Sequence, residues 1–126
     1  MNERKTKQKD DILKIIKKSK DHPTIKEIYL KVKEINPTIG QATIYRNINR
    51  LAEEGKIERL VDPTNEYHYD GDISYHNHFV CKNCNTIIDI FDDYQQEKNN
   101  IEKTYSVTIE KTRIVYEGIC NNCKKI

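Results

Sequence analysis

Tryptophan is absent from the 126 residues, and a third of them are charged. Nowhere do apolar residues run together at the length a membrane-spanning helix needs, so no membrane association is expected. With so little apolar material the chain can bury one modest core or two small ones, and cores of that size often rely on a staple such as a metal. The N-terminal stretch MNERKTKQKDDILKIIKK is too charged to be a signal peptide, which points to a cytoplasmic protein. Low-complexity segments are missing, and nothing repeats except a doubled Cys-X-X-Cys.

No cysteine is left unpaired: the four fall into Cys81/Cys84 (CKNC) and Cys120/Cys123 (CNNC). In a reducing compartment such pairs serve more often as metal ligands than as disulfides. Two of these turns complete the four-sulfur tetrahedral shell of a structural Zn²⁺. The rival reading, two separate redox disulfides, lacks the βαβ setting of a thioredoxin-like protein.

The net charge of +2 conceals an asymmetry. Residues 1–61 hold 15 Lys and Arg against 9 Asp and Glu, whereas residues 62–126 hold 7 against 11. Only the basic half suits phosphate contact. In that half, Ile12, Leu13, Ile15 and Ile16 mark a first helix, and Ile25, Ile28, Tyr29, Val32 and Ile35 a second one closed by Pro37. Ile44, Ile48 and Leu51 stripe a third, for which Gly55 is a natural stop. KIERLVD and EYHYDG then read as two short strands about the turn PTN. Three helices and a two-stranded wing form a unit whose third helix can enter a DNA major groove. Away from its stripe that helix shows Gln41, Thr43, Tyr45, Arg46, Asn47 and Arg50, side chains suited to base edges, thymine methyls and phosphates. An ordinary amphipathic helix with a solvated face is the plainer alternative; helix order, wing and charge favour DNA.

Beyond DGDIS the pattern becomes strands at YHNHFVC and NTIIDIF, a polar helix at DDYQQEKNNIEKTY, and two more strands in SVTIEKTRIVYEGIC. This half is α+β with about four strands. His76 and His78 are two apart, so on a strand both imidazoles leave one face and can share an ion. Hairpin pairing could bring Asp89 beside them, with Asp70 and His22 as further candidates. Such a nitrogen and oxygen shell suits Fe²⁺ or Mn²⁺ and also accepts Zn²⁺. Plainer roles stand beside each: His22 as a helix cap, Asp70 and Asp72 as turn residues, Asp89 as a solvated carboxylate. His68 shares a strand face with Asp70 and competes as a ligand.

Read together, KTKQKDDIL, HPTIKEIY, ATIYRNINRLAEEGKI, YHYD, HNHFVCKNCNTIIDI and EGICNNC resemble, nearly end to end, the Fur family of bacterial metal-dependent transcriptional regulators. The resemblance implies an α+β protein: a winged helix-turn-helix domain at 1–70, a hinge at 71–75, and a small α/β dimerisation and metal-binding domain at 76–126. It implies a homodimer on palindromic double-stranded operator DNA, with Tyr45 and Arg46 among the operator contacts, and no organic cofactor. It also implies structural zinc on Cys81, Cys84, Cys120 and Cys123, and a regulatory metal on His22, Asp70, His76, His78 and Asp89. Iron-uptake regulators typically carry Glu where Asp89 stands, so Asp resembles the peroxide-sensing (PerR) branch. There, His22 and His76 are the residues expected to be oxidised by bound Fe²⁺ and peroxide. The chain departs from the family in having His68 where Arg is frequent, Asn85 where Gly is frequent, and Gln8-Lys9 in place of Gln-Arg. The expected function is a metal-dependent repressor that senses peroxide, not an enzyme. Its rivals are an iron-responsive or zinc-responsive repressor, a zinc adaptor that binds only protein, and a non-haem iron oxygenase built on His76, His78 and a carboxylate.

Overall fold

The computed structural model describes residues 3–92 and 94–124. Two compact units follow one another along the chain, Met1–Ser74 and Tyr75–Ile126.

The first unit consists of α1 (Glu3–Lys18), α2 (Ile25–Ile35), α3 (Gln41–Glu53), β1 (Glu58–Val61) and β2 (Tyr67–Asp70). Capping sets the helix ends. Thr24 opens α2 with a capping box: its hydroxyl accepts the Glu27 N–H at 3.2 Å, and Glu27 Oε1 accepts the Thr24 N–H at 3.1 Å. Such a cap is worth about 1 kcal/mol. At the end of α3, Gly55 adopts φ +72, its N–H reaches the Ala52 carbonyl, and the Lys56 N–H reaches that of Leu51. This pair of bonds is a Schellman closure, which a glycine permits without a Cβ penalty. Ile12, Ile16, Ile28, Val32, Ile44, Ile48 and Leu51 from all three helices meet Ile57 and Tyr69 in one core. The wing is antiparallel, with Glu58 opposite Asp70 and Leu60 opposite His68.

The second unit comprises β3 (Asn77–Cys81), β4 (Ile87–Ile90), α4 (Gln95–Tyr105), β5 (Val115–Gly118) and α5 (Asn121–Lys124). Its sheet runs β4-β3-β5, with β3 antiparallel to β4 and parallel to β5. A parallel neighbour needs a crossover, and the segment containing α4 supplies it. Three strands stand here among the described residues where four are expected. Val107 and Ile109 alternate as a strand would, but residues 107–114 form no strand. The helix starts at Gln95 rather than Asp92, and Asp93 lies outside the described residues. No residue of α4 is buried, and the buried apolar side chains of this unit are Val80, Cys81 and Cys120.

Gly71 follows Asp70 where the chain passes α1. A Cβ there would lie 2.6 Å from Lys17 Cα and 2.9 Å from Lys17 N, both backbone atoms that cannot swing aside. Gly71→Ala is expected to destabilise the protein by about 1–3 kcal/mol, read as a lower urea midpoint at unchanged slope.

Candidate metal centres and nucleic-acid face

Backbone pairing gathers the sulfurs. Cys81 ends β3, and its carbonyl accepts the Asn85 N–H at 2.9 Å while its own N–H donates to Thr86 O at 2.9 Å, folding CKNC into a tight turn. Asn85 closes that turn at φ +64, a conformation glycine adopts freely and asparagine tolerates best among the rest. Because Cys81 pairs with Gly118 on β5, the second pair starts alongside the first, and the turn of α5 brings Cys123 back. Cys81 Sγ lies 3.7 Å from Cys123 Sγ, Cys84 Sγ lies 3.7 Å from Cys120 Sγ, and all four fall within 4.8 Å of one another. These two approaches run between the two Cys-X-X-Cys turns, and all four thiols are free.

The N–H groups of Cys120 and Asn83 each lie 3.4 Å from Cys81 Sγ. Backbone bonds, that from Cys120 first, bring the Cys81 thiol down to about 6, and hydrogen bonding with Thr86 lowers Cys84. Cys123 is favoured as thiolate by the Asn83 side chain, yet the Cys120 sulfur, burial and the sulfurs of Cys81 and Cys84 push it up to about 12. Four thiolates cannot share this space unless a cation sits among them. The donor set is that of a closed structural Zn²⁺ site.

In the same unit, His78 lies on β3 and His76 immediately precedes it, and both rings face Asp89. Asp89 on β4 is the register partner of His78. Asp89 Oδ1 lies 3.3 Å from His76 Nε2 and 3.3 Å from His78 Nε2, the two rings are 4.5 Å apart, and Phe91 stacks on His76 at 4.8 Å. One carboxylate oxygen facing two imidazole nitrogens is a mixed donor set that accepts Fe²⁺, Mn²⁺ or Zn²⁺. In the first unit, His22 Nε2 faces Asp70 Oδ2 at 3.4 Å. Asp70 ends β2 and also accepts the Asp72 N–H at 2.9 Å, so its turn role and its place beside His22 coexist.

His68 is not a competing ligand. Its Nδ1–H donates to the His22 carbonyl at 2.8 Å and its Nε2–H to Asp62 Oδ2 at 2.7 Å, which leaves neither ring nitrogen for a metal. Reading the sequence also missed Asp62, whose signal was the turn VDPTN. Its Oδ1 accepts the Thr64 N–H at 2.8 Å and the Glu66 N–H at 3.1 Å, together with the Thr64 hydroxyl. Burial raises its pKa, but bonds from Thr64, His68 and the Glu66 backbone outweigh burial and hold the carboxyl at about 2.

The third helix presents the residues expected of a DNA reader. Gln41, Arg46 and Arg50 are exposed and Thr43, Tyr45 and Asn47 half-exposed, while Ile44, Ile48 and Leu51 face the core. Gln41 donates to the Tyr45 hydroxyl at 3.0 Å, and the Tyr45 ring meets Tyr29 edge-on at 6.4 Å. A further link joins helix and wing: Arg59 on β1 donates to Asn49 at 2.9 Å and lies over Tyr67 at 4.9 Å. No helix among the described residues is long and apolar enough to cross a membrane.

A winged three-helix unit followed by a small sheet with a four-thiol corner and a His/Asp set is the architecture of a metal-responsive regulator. A sequence profile of the ferric uptake regulator family matches residues 1–117, and the chain belongs to that family. It is 30% identical over 114 residues to the ferric uptake regulation protein of Bacillus subtilis, covering 86% of this chain and 76% of that one. To the peroxide-responsive repressor PerR of Staphylococcus aureus strain USA300 it is 31% identical over 125 residues, covering 94% and 81%. The crystal structure of the Campylobacter jejuni peroxide stress regulator superposes with a TM-score of 0.83 at 28% identity, over 95% of this chain and 91% of that one. The Helicobacter pylori ferric uptake regulator, described as having three functional metal-binding sites, shares the fold with a TM-score of 0.85 at 22% identity, over 94% and 82%.

The depressed pKa of Asp62 gives a stability signature. Its stabilisation is present above about pH 4 and is lost as pH falls through about 2. Asp62→Asn is expected to cost about 1–2 kcal/mol at pH 7, and the gap to the parent should close in acid-titrated denaturation.

Proposed function

We propose that the protein is a metal-dependent, DNA-binding transcriptional repressor of the bacterial cytoplasm that releases its operator when peroxide oxidises a ligand histidine. The observation that carries this reading is Asp89 Oδ1, 3.3 Å from both His76 and His78. An aspartate at this position, rather than glutamate, is what the peroxide-sensing branch resembles. Relatives named for iron uptake and for peroxide response stand at 30% and 31% identity, so identity does not choose between them; Asp89 is what supports the peroxide reading.

In this reading His76, His78 and Asp89 of the second unit and His22 and Asp70 of the first hold one regulatory ion. An ion gripped by ligands from both units restrains the hinge at 71–75 and with it the recognition helix. Metal and operator then favour the same state, and each must tighten binding of the other. Gln41, Thr43, Asn47 and the pair Tyr45 and Arg46 read bases, and Arg50 adds phosphate contact. Cys81, Cys84, Cys120 and Cys123 keep a structural Zn²⁺ that is redox-inert. Ile101, Tyr105, Val115 and Tyr116 are exposed on the second unit, and a second copy of the chain would cover them.

Bound Fe²⁺ would lend H₂O₂ one electron and regain it from the oxygenated ring, chemistry that Mn²⁺ does not supply. Overall one oxygen atom of H₂O₂ enters the C–H bond of the His76 or His22 imidazole, the ring is oxidised by two electrons, and the other oxygen leaves as water. An oxidised ring is a poorer ligand, the hinge loosens and DNA is released. A second reading, an iron-responsive repressor whose metal simply comes and goes, is supported by the likeness to the Bacillus subtilis protein.

The test uses zinc-loaded protein prepared without oxygen, charged with Fe²⁺ or Mn²⁺ and exposed to modest H₂O₂. Peptide mass spectrometry should find one added oxygen on the His76 or His22 peptide with iron alone, together with lost affinity for duplex DNA selected from a random pool. Unmodified histidines, with DNA binding that only follows metal addition and chelation, would replace the peroxide reading by the iron-responsive one. Cys81→Ser should lose zinc and self-association together, measured by metal analysis and sedimentation.

A further inference from the structure

We infer that the Asp62–His68 pair is a strut that positions His22 and ties the turn of the wing to it; the inference rests on His22 being a regulatory ligand. Both partners of the His68 ring are acceptors, a backbone carbonyl at 2.8 Å and a carboxylate at 2.7 Å, so the imidazole bridges two groups that each take an N–H. His22 needs holding. It sits at φ +53 immediately before Pro23, and a residue before proline is driven toward extended conformations. Three ties fix this segment: the isolated bridge between Thr24 and His68, the Tyr69 N–H to the Pro23 carbonyl at 2.9 Å, and the His68 ring to the His22 carbonyl at 2.8 Å. The first two are backbone contacts that any residue at 68 could keep. Only the third depends on the side chain, and it acts on the residue whose orientation decides where the ligand nitrogen points.

At its other end the strut meets Asp62, whose remaining oxygen holds Thr64 and Glu66 in the turn between β1 and β2. The wing turn and the ligand loop are therefore joined through one imidazole. A side chain can replace His68 only if it offers two donors and no acceptor, which phenylalanine cannot and the arginine fork can.

Zinc-loaded parent and variants would be titrated with Mn²⁺, reading free Mn²⁺ by its electron paramagnetic resonance signal. Amide exchange at Thr64 and Tyr69 would be followed by NMR on the same samples. His68→Phe should weaken Mn²⁺ binding by about tenfold, as losing a partner of a metal ligand typically does, with zinc content unchanged and faster exchange at Thr64. His68→Arg should restore most of both. Asp62→Asn, which severs only the far end, should shift both in the same direction and serves if His68→Phe does not fold. Parent-like Mn²⁺ affinity in His68→Phe alongside a weakened His22→Ala would overturn the strut and leave the metal reading intact. His68→Arg as weak as His68→Phe would also overturn it. Unchanged Mn²⁺ affinity in His22→Ala would instead remove His22 from the ligand set, and amide exchange alone would then decide: faster exchange in His68→Phe supports the strut, and parent-like exchange overturns it.

Discussion

Four sulfur atoms within 4.8 Å of one another do in the second unit what apolar burial cannot. Its buried apolar side chains are Val80 and two of the cysteines themselves, and its longest helix buries nothing. For a sheet of this size the binding energy of an ion is largely folding energy, because an unfolded chain holds no such site. The CKNC turn, closed by the Cys81 N–H on the Thr86 carbonyl, fixes the β3–β4 register that puts Asp89 opposite His78. Cys81 opposite Gly118 sets β5 against β3, and the Asn77 side chain, accepting the Ile114 N–H at 3.1 Å, secures the entry to β5. One five-residue strand thus serves two sites through its alternation: Asn77, Phe79 and Cys81 on one face, His78 and Val80 on the other.

The first unit is held differently. Its core is mostly isoleucine from three helices, and polar side chains tie the wing to that frame. Arg59 runs from β1 to Asn49 on α3, and His68 runs from β2 to the backbone ahead of α2. Both links are side chains acting across elements, so the wing's place beside α3 rests on directional bonds as well as on Leu60 and Tyr69 in the interior.

Much of this was legible in the residues. Isoleucine spacing marked all three helices, Gly55 marked the end of the third, and alternation marked the strands of the wing and of the histidine pair. The doubled Cys-X-X-Cys announced a four-sulfur corner because the chemistry of that spacing is local. What stayed hidden was non-local. The alternating Val107 and Ile109 look like a strand, yet a strand exists only where its backbone pairs with a neighbour, and no periodicity reveals that. Asp62 read as the end of the strand KIERLVD; that it holds the following turn and faces an imidazole six residues on follows only from the structure, in which Leu60 stands opposite His68.

Histidine shows most clearly why residue type underdetermines role. His68, His76 and His78 lie within eleven positions of each other, and each is a plausible ligand by spacing. The distinction is in what their nitrogens face. Both nitrogens of His68 face acceptors already filled by hydrogen bonds, so a cation there would have to displace two protons from a satisfied pair. His76 and His78 converge on one carboxylate oxygen at equal distance, an arrangement that a single cation can bridge. His22 belongs with the second kind through its ring, which faces Asp70, and with the first through its carbonyl, which His68 holds. A side chain placed this way is oriented from its backbone as well as by the group its ring faces, and the wing, through His68, is where that backbone hold originates.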